Sequence, residues 1–212
     1  AGRRKSRETS SHDWDDIFEC LNTIKAEIKD NFPYKVLEVY GAEADDIIAT
    51  LCGELEFDNG KTLILSGDKD FIQLHKFKNV KQYSPITKKF INGEDPDEYL
   101  YQHILKGDSS DGIPNVLSPD NTFVDGLRQR PLSKKKIAEW AGPLCEQFLP
   151  SDEAKRNYQR NKKLIDLKES PEELHLECIK AYQDAPEGDR SKLLNYFIKN
   201  RLNELMENIG DF

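Results

Sequence analysis

The sequence predicts an α/β fold: a parallel-sheet core with helices on both faces, continued by a helical C-terminal region. Three observations predict it. The strand-like run Tyr34-Lys-Val-Leu-Glu-Val-Tyr40 leads into the apolar helical body Ile47-Ile-Ala-Thr-Leu-Cys52. A second apolar run, Thr62-Leu-Ile-Leu65, follows at a distance that suits a right-handed crossover and parallel pairing, and its brevity suits a buried strand. Toward the C-terminus strand signals disappear and apolar residues recur at helical spacing.

Taken in order, Asp13 opens a helix whose Trp14, Ile17, Phe18, Leu21, Ile24 and Ile28 form one apolar stripe, expected to face the core. After Asn31-Phe-Pro33 come the first expected strand and a helix that stops near Phe57-Asp-Asn-Gly60. Val80–Tyr83 and Lys88–Ile91 flank the turn Ser84-Pro-Ile-Thr87 and read as a hairpin. Pro96 suits the first position of a helix ending at Lys106. From Ser118 to Arg130 the pattern is loop; Lys134 to Trp140 is a short helix, and Ser151 and Ser170-Pro171 start two more. Leu194, Ile198, Leu202, Leu205 and Ile209 predict a final amphipathic helix.

At 212 residues the chain fits one domain, or one domain with a helical extension. Its formal net charge of -8 speaks against polyanion binding by bulk charge, so any such binding must come from local clusters. No apolar run approaches membrane-spanning length and no signal segment opens the sequence. Cys20, Cys52, Cys145 and Cys178 are scattered, as reduced thiols are. A cytoplasmic protein without a membrane partner is expected. His12, His75, His103 and His175 form no ligand cluster along the chain, which argues against zinc.

The chemistry lies in the acids. Glu43-Ala-Asp45-Asp46 sits between the first expected strand and its helix, and Ser66-Gly-Asp68-Lys-Asp70 follows the next strand. Both groups would then arrive at one sheet edge, where open α/β sheets place their sites. Any one acid at a helix start serves equally as a cap. Five converging carboxylates do not, because they repel unless a cation lies among them, and oxygen ligands suit Mg²⁺ or Mn²⁺. Gly107-Asp108-Ser-Ser-Asp111-Gly112 is a third contributor, its glycines allowing a tight turn. The basic run Arg3, Arg4, Lys5 and Arg7 is either a solvated tail or an arm that holds a phosphodiester beside the ions. Lys134, Lys135 and Lys136 either touch phosphate or face water.

These three acidic motifs together resemble the 5′-nuclease (flap-endonuclease) family and, within it, the ribonuclease H branch of T-even-type phages. The resemblance implies a PIN-like fold and a two-metal, Mg²⁺- or Mn²⁺-dependent phosphodiesterase of phage DNA replication. Its substrates would be RNA–DNA hybrid, a 5′ flap or 5′-ended duplex DNA. Asp45, Asp68 and Asp70 would be catalytic; with Glu43, Asp46, Asp108 and Asp111 they would make up the metal site. Duplex contacts would fall to Arg128, Arg130 and Lys134 to Lys136, since the family's Gly-x-Gly turn has no counterpart after Ile113-Pro114. Residues 1–115 would be the C-terminal portion of the nuclease α/β domain with part of a basic arch, and 116–212 a helical DNA-binding region. The family's early strand-borne acids have no counterpart here, so a longer or split nuclease is expected, with a separate N-terminal portion or a replication protein as partner. In a phage-encoded protein the location would be the host cytoplasm. A rival reading is a remnant that grips nucleic acid or a replication protein without cutting. A sugar transferase built on Asp68-Lys-Asp70 ranks last, lacking any nucleotide-sugar motif.

Overall fold

In the computed structural model, which describes residues 12–55, 60–93 and 95–212, three strands form one sheet in the order β1-β2-β3. β1 (Thr62–Leu65) pairs in parallel with β2 (Val80–Ser84), Thr62 opposite Val80 and Leu65 opposite Tyr83. β2 pairs antiparallel with β3 (Lys89–Ile91), completing the expected hairpin. The parallel pair is joined through a 3₁₀ helix, Lys69–Lys76, in which Phe71, Ile72, Gln73 and Leu74 are all buried. Four consecutive buried residues sink the middle of this crossover into the protein, while its first turn, Lys69 and Asp70, stays open to solvent.

The expected first strand is absent. Tyr34–Tyr40 runs without regular secondary structure and joins no sheet among the described residues. Instead, Leu37 and Val39 pack with Ile47 and Cys178, while Lys35 Nζ donates to the Tyr182 carbonyl at 3.1 Å. An apolar alternation is satisfied as well by a helix flank as by a neighbouring strand, and periodicity does not separate the two. β1 is also less enclosed than its composition suggests: Leu63 is 52% and Leu65 66% exposed. The strand register sets them on one face with Tyr83 and Phe90, whose ring centroids are 5.2 Å apart.

α1 (Trp14–Asn31) is capped as expected, Asp13 accepting from the N–H groups of Asp15 and Asp16. Its stripe is not core, however. No residue of α1 is buried, and Phe18, Leu21 and Ile24 are exposed. The helix is held near its C-terminal end, where Glu27 accepts from the Tyr196 hydroxyl and Phe32 meets the rings of Tyr196, Phe197 and Phe212.

Two larger apolar clusters position the acidic loops. One joins Cys52 of α2 (Ala44–Leu55) to Ile64, Phe71, Leu74 and Val80. The other joins Ile104 and Leu105 of α3 (Pro96–Lys106) to α4 (Lys134–Trp140), α5 (Cys145–Phe148) and α6 (Asp152–Ile165). Asp95, Ser133 and Ser151 cap α3, α4 and α6. Beyond α7 (Glu172–Asp184), the expected final helix divides into α8 (Leu193–Asn200) and α9 (Asn203–Glu207). Arg201 takes the left-handed conformation at φ 56°, and Leu202 N–H reaches back to the Phe197 carbonyl, closing a Schellman-type end. α8 buries Leu193 and Phe197 and exposes Leu194 and Ile198, so the buried face lies one residue from the stripe that was expected.

Candidate metal centre

The chain leaves β1 through Ser66-Gly67-Asp68. Asp68 caps the 3₁₀ helix by accepting from Asp70 N–H at 3.1 Å, and Ser66 Oγ accepts from Asp68 N–H at 3.1 Å. A buried amide clamps this loop to the sheet. Gln82 of β2, fully enclosed, donates through Nε2 to the carbonyls of Ser66 at 2.9 Å and Asp68 at 2.6 Å, and its Oε1 lies 3.0 Å from His75 Nε2.

A second loop arrives from α3. Gly107 ends that helix at φ +66°, where a Cβ would collide with the backbone of Ile113 and Pro114. Asp108 Oδ1 then accepts from Ser110 N–H at 2.7 Å, the Ser110 hydroxyl at 2.5 Å and Asp111 N–H at 3.3 Å. Two enclosed asparagines of α6 fasten the loop from behind. Asn161 donates to the carbonyls of Ile104 and Pro114, and Asn157 to those of Val116 and Ser118. Arg160 Nη2 adds a bond to the Pro114 carbonyl at 2.9 Å. No local signal marks these amides; polar residues inside a helical pattern read as solvent-facing until the loop they hold is known.

Between the two loops lies an open cleft of about 490 Å³ lined by Asp68, Asp70, His103 and Asp108 among others. One ligand atom each from Asp70, His103 and Asp108 lies within 4.8 Å of the others. In the sequence His103 forms no ligand cluster with His12, His75 and His175. In the fold it is in the last turn of α3, just ahead of the Gly107-Asp108 motif, and its imidazole meets Asp70 at 3.4 Å and Asp108 at 3.6 Å.

The electrostatics mark this as a place for a cation. Burial pushes the Asp70 carboxyl up, and repulsion from Asp68, Asp108 and Asp45 adds to it, with His103 acting in opposition. Burial acts on Asp108 the same way, but the bonds from Ser110 and the nearness of His103 outweigh it and bring that carboxyl below its usual range. Carboxylates that repel at one spot, with an imidazole beside them, are a donor set that a hard divalent ion fits, since its charge relieves the repulsion.

The remaining expected acids divide by position. Asp45 is half-buried in the first turn of α2, near enough for its charge to bear on Asp70. Asp46 is engaged elsewhere: Oδ2 accepts from Glu43 N–H at 3.0 Å and Oδ1 from the Ser170 hydroxyl at 2.5 Å, which is a helix-capping role. Glu43, just before α2, and Asp111, on the outer side of its loop, are exposed. Arg3, Arg4, Lys5 and Arg7 lie outside the described residues. Arg128, Arg130, Lys134, Lys135 and Lys136 are exposed on the loop before α4 and its first turn, with Arg130 3.4 Å from Glu153.

Comparison with known proteins places the chain in a family. Residues 5–101 match the family described as 5′-3′ exonuclease, N-terminal resolvase-like domain, and residues 95–212 the one described as T4 RNase H, C terminal. Ribonuclease H of Enterobacteria phage T4 is 34% identical over 217 residues, spanning 99% of this chain and 71% of that enzyme. A 5′-3′ exonuclease of Buchnera aphidicola is 42% identical over 89 residues, 39% of this chain and 31% of its own length. In fold, the chain is similar to a T5 5′-exonuclease mutant (TM-score 0.55, 21% identity, 78% of this chain and 68% of that one). It is also similar to the T5 D15 protein co-crystallised with metal ions (TM-score 0.54, 17% identity, 99% and 77%).

Proposed function

The chain belongs to the 5′-3′ exonuclease family that includes phage T4 ribonuclease H, and from that premise we propose that it is a divalent-metal-dependent 5′-3′ nuclease of phage DNA replication. The observation that carries the chemistry is the convergence of Asp70, His103 and Asp108, with Asp68 and Asp45 close enough to act on Asp70. Asp45, Asp68, Asp70 and Asp108 hold the ions, Mg²⁺ or Mn²⁺, with His103 between two of them. Asp46 is assigned to capping α2, and Glu43 and Asp111 to the outer rim. At such a centre divalent ions supply activation of a water and neutralisation of charge on the scissile phosphate.

The chain's own groups do the placing. Gln82 fixes the Asp68 loop and Asn157 and Asn161 fix the Asp108 loop, so the donors are presented from rigid supports. Arg3, Arg4, Lys5 and Arg7, with Arg128, Arg130 and Lys134 to Lys136, contact the phosphates of an RNA–DNA hybrid, a 5′ flap or a 5′-ended duplex. Residues 1–115 act as the nuclease portion and 116–212 as the region gripping the duplex. The sheet face carrying the exposed Leu63, Leu65 and Phe90 beside the half-buried Tyr83 supports a further portion of nuclease polypeptide as partner. The site of action is the host cytoplasm; among the described residues no helix is long and apolar enough to cross a membrane.

The test is cleavage of 5′-labelled flap DNA and RNA–DNA hybrid with Mg²⁺, with Mn²⁺ and with EDTA, using the chain alone and with any separately encoded N-terminal portion. Short 5′ products that require the metal and disappear in Asp70→Asn are expected. Tight substrate binding without metal-dependent products in either format would favour the non-cutting remnant.

A further inference from the structure

A second pocket, of about 320 Å³, shares no residue with the acidic cleft. It lies between α2, the C-terminal end of the 3₁₀ helix and the segment 167–175, with Leu74, Phe77 and Leu167 among its apolar walls. Two cations meet there. Lys76 is half-buried, its Nζ 5.3 Å from the centroid of the Phe77 ring, and the exposed Lys168 lines the same pocket, near enough for its charge to bear on Lys76. Among the described residues, neither ammonium has a carboxylate within 4.0 Å.

That arrangement costs free energy as it stands. Burial lowers the Lys76 ammonium's hold on its proton, and Lys168 lowers it further, while Asp166 and Asp97 act against them from beyond ion-pair distance. Two like charges side by side over apolar walls are relieved by an anion placed between them. The surroundings limit which anion. Thr50 and His175 are occupied with each other at 3.1 Å, and Ser170 with Asp46 at 2.5 Å. Glu172 sits at the edge and disfavours an extended polyanion on its side. What remains is a site with one pole for a compact anion and one flat apolar surface, of a volume in the range of small-ligand pockets.

We propose that this pocket binds a mononucleotide, its phosphate between Lys76 and Lys168 and its base against Phe77 and Leu167. Lys76 and Asp70 are six residues apart on one 3₁₀ helix, roughly 12 Å at about 2 Å per residue, so the site stands apart from the acidic cleft. Occupancy does not depend on the metal. The nucleotide comes either free, as a released product does, or as the 5′ end of a strand.

The test is a titration of the full chain in EDTA with deoxyadenosine 5′-monophosphate, following the thermal midpoint. The same titration is run with deoxyadenosine, with inorganic phosphate and with a 5′-phosphorylated single strand. A saturable rise with the mononucleotide is expected, none with deoxyadenosine, and weaker binding of inorganic phosphate. In Lys168→Met, a change at an exposed position, affinity should fall about tenfold, the worth of one charge-assisted contact. Binding of the phosphorylated strand with equal affinity assigns the site to strand ends; preference for the free nucleotide assigns it to released product. No saturable rise with any phosphate ligand, or unchanged affinity in Lys168→Met, overturns the proposal. Because EDTA removes the metal, the outcome is independent of whether the chain cleaves DNA.

Discussion

His103 Nδ1 stands 3.4 Å from Asp70 Oδ1, and the other nitrogen of the same ring stands 3.6 Å from Asp108 Oδ2. One imidazole therefore spans two loops that come from different parts of the chain. Replacing it with alanine removes a group held directly against the two carboxylates proposed to hold the ions, and affinity for Mn²⁺ should drop about 10- to 100-fold. A thermal-shift titration reads this directly; an unchanged midpoint concentration for His103→Ala would place the ring outside the centre.

Asp70 makes a prediction about pH. Its native pKa is raised, so the native state holds its proton more tightly than the unfolded chain does. The stability this lends is full below the unfolded value and is lost as pH rises through the native one. Asparagine cannot titrate. In EDTA the parent should lose stability relative to Asp70→Asn across that window, and at neutral pH the variant should melt higher, by about 2–4 °C for each ~1 kcal/mol of relieved repulsion and desolvation. Denaturation curves at several pH values check it, and a difference constant with pH would refute it.

Adding metal should reverse that order. Mg²⁺ or Mn²⁺ at about a hundred times its dissociation constant stabilises the parent by about 2.7 kcal/mol. Asp70→Asn and Asp108→Asn should lose most of this gain and, in the cleavage assay, at least about a hundredfold of rate. A gain that is linear in metal and does not saturate would mean nonspecific screening.

Gln82→Leu keeps the approximate volume but leaves the carbonyls of Ser66 and Asp68 without their donor. An unpaired buried group costs about 1–3 kcal/mol, and these two carbonyls are only part-buried, so a loss of about 1–3 kcal/mol in all is expected by urea denaturation. Metal affinity should fall with it, because the same amide steadies the Asp68 loop. Asn161→Leu should behave alike at the Asp108 loop, through the carbonyls of Ile104 and Pro114.

At Gly107 any side chain meets the backbone of Ile113 and Pro114 in a left-handed conformation. Gly107→Ala should therefore cost more than about 1 kcal/mol and displace Asp108. If its metal affinity and stability match the parent's, the turn is less constrained than its geometry implies.

Much of this was legible in the sequence because it is written in local signals. The caps at Asp13, Asp95, Ser133 and Ser151, the hairpin around Ser84–Thr87 and the turn at Gly107 each depend on residues within a few positions. So did the approach of Asp68 and Asp70, two residues apart. What escaped was settled over long range. Tyr34–Tyr40 has a strand's alternation but packs beside α7, and α1 has a core-like stripe that its described neighbours leave exposed. His103 is an isolated histidine until α3 lays it between acids from two loops, and Asn157, Gln82 and Asn161 look polar until burial gives each a carbonyl to serve.

Asp68 and Asp70 are anchored to the cluster of Cys52, Ile64 and Phe71, whereas His103 and Asp108 belong to the cluster of Ile104, Val116 and Tyr158. Neither half of the chain owns the whole of the proposed ligand set. An intermediate with only one half consolidated would lack the proposed ion site, so the appearance of Mn²⁺ binding during refolding should coincide with the joining of the two halves and serve as its clock.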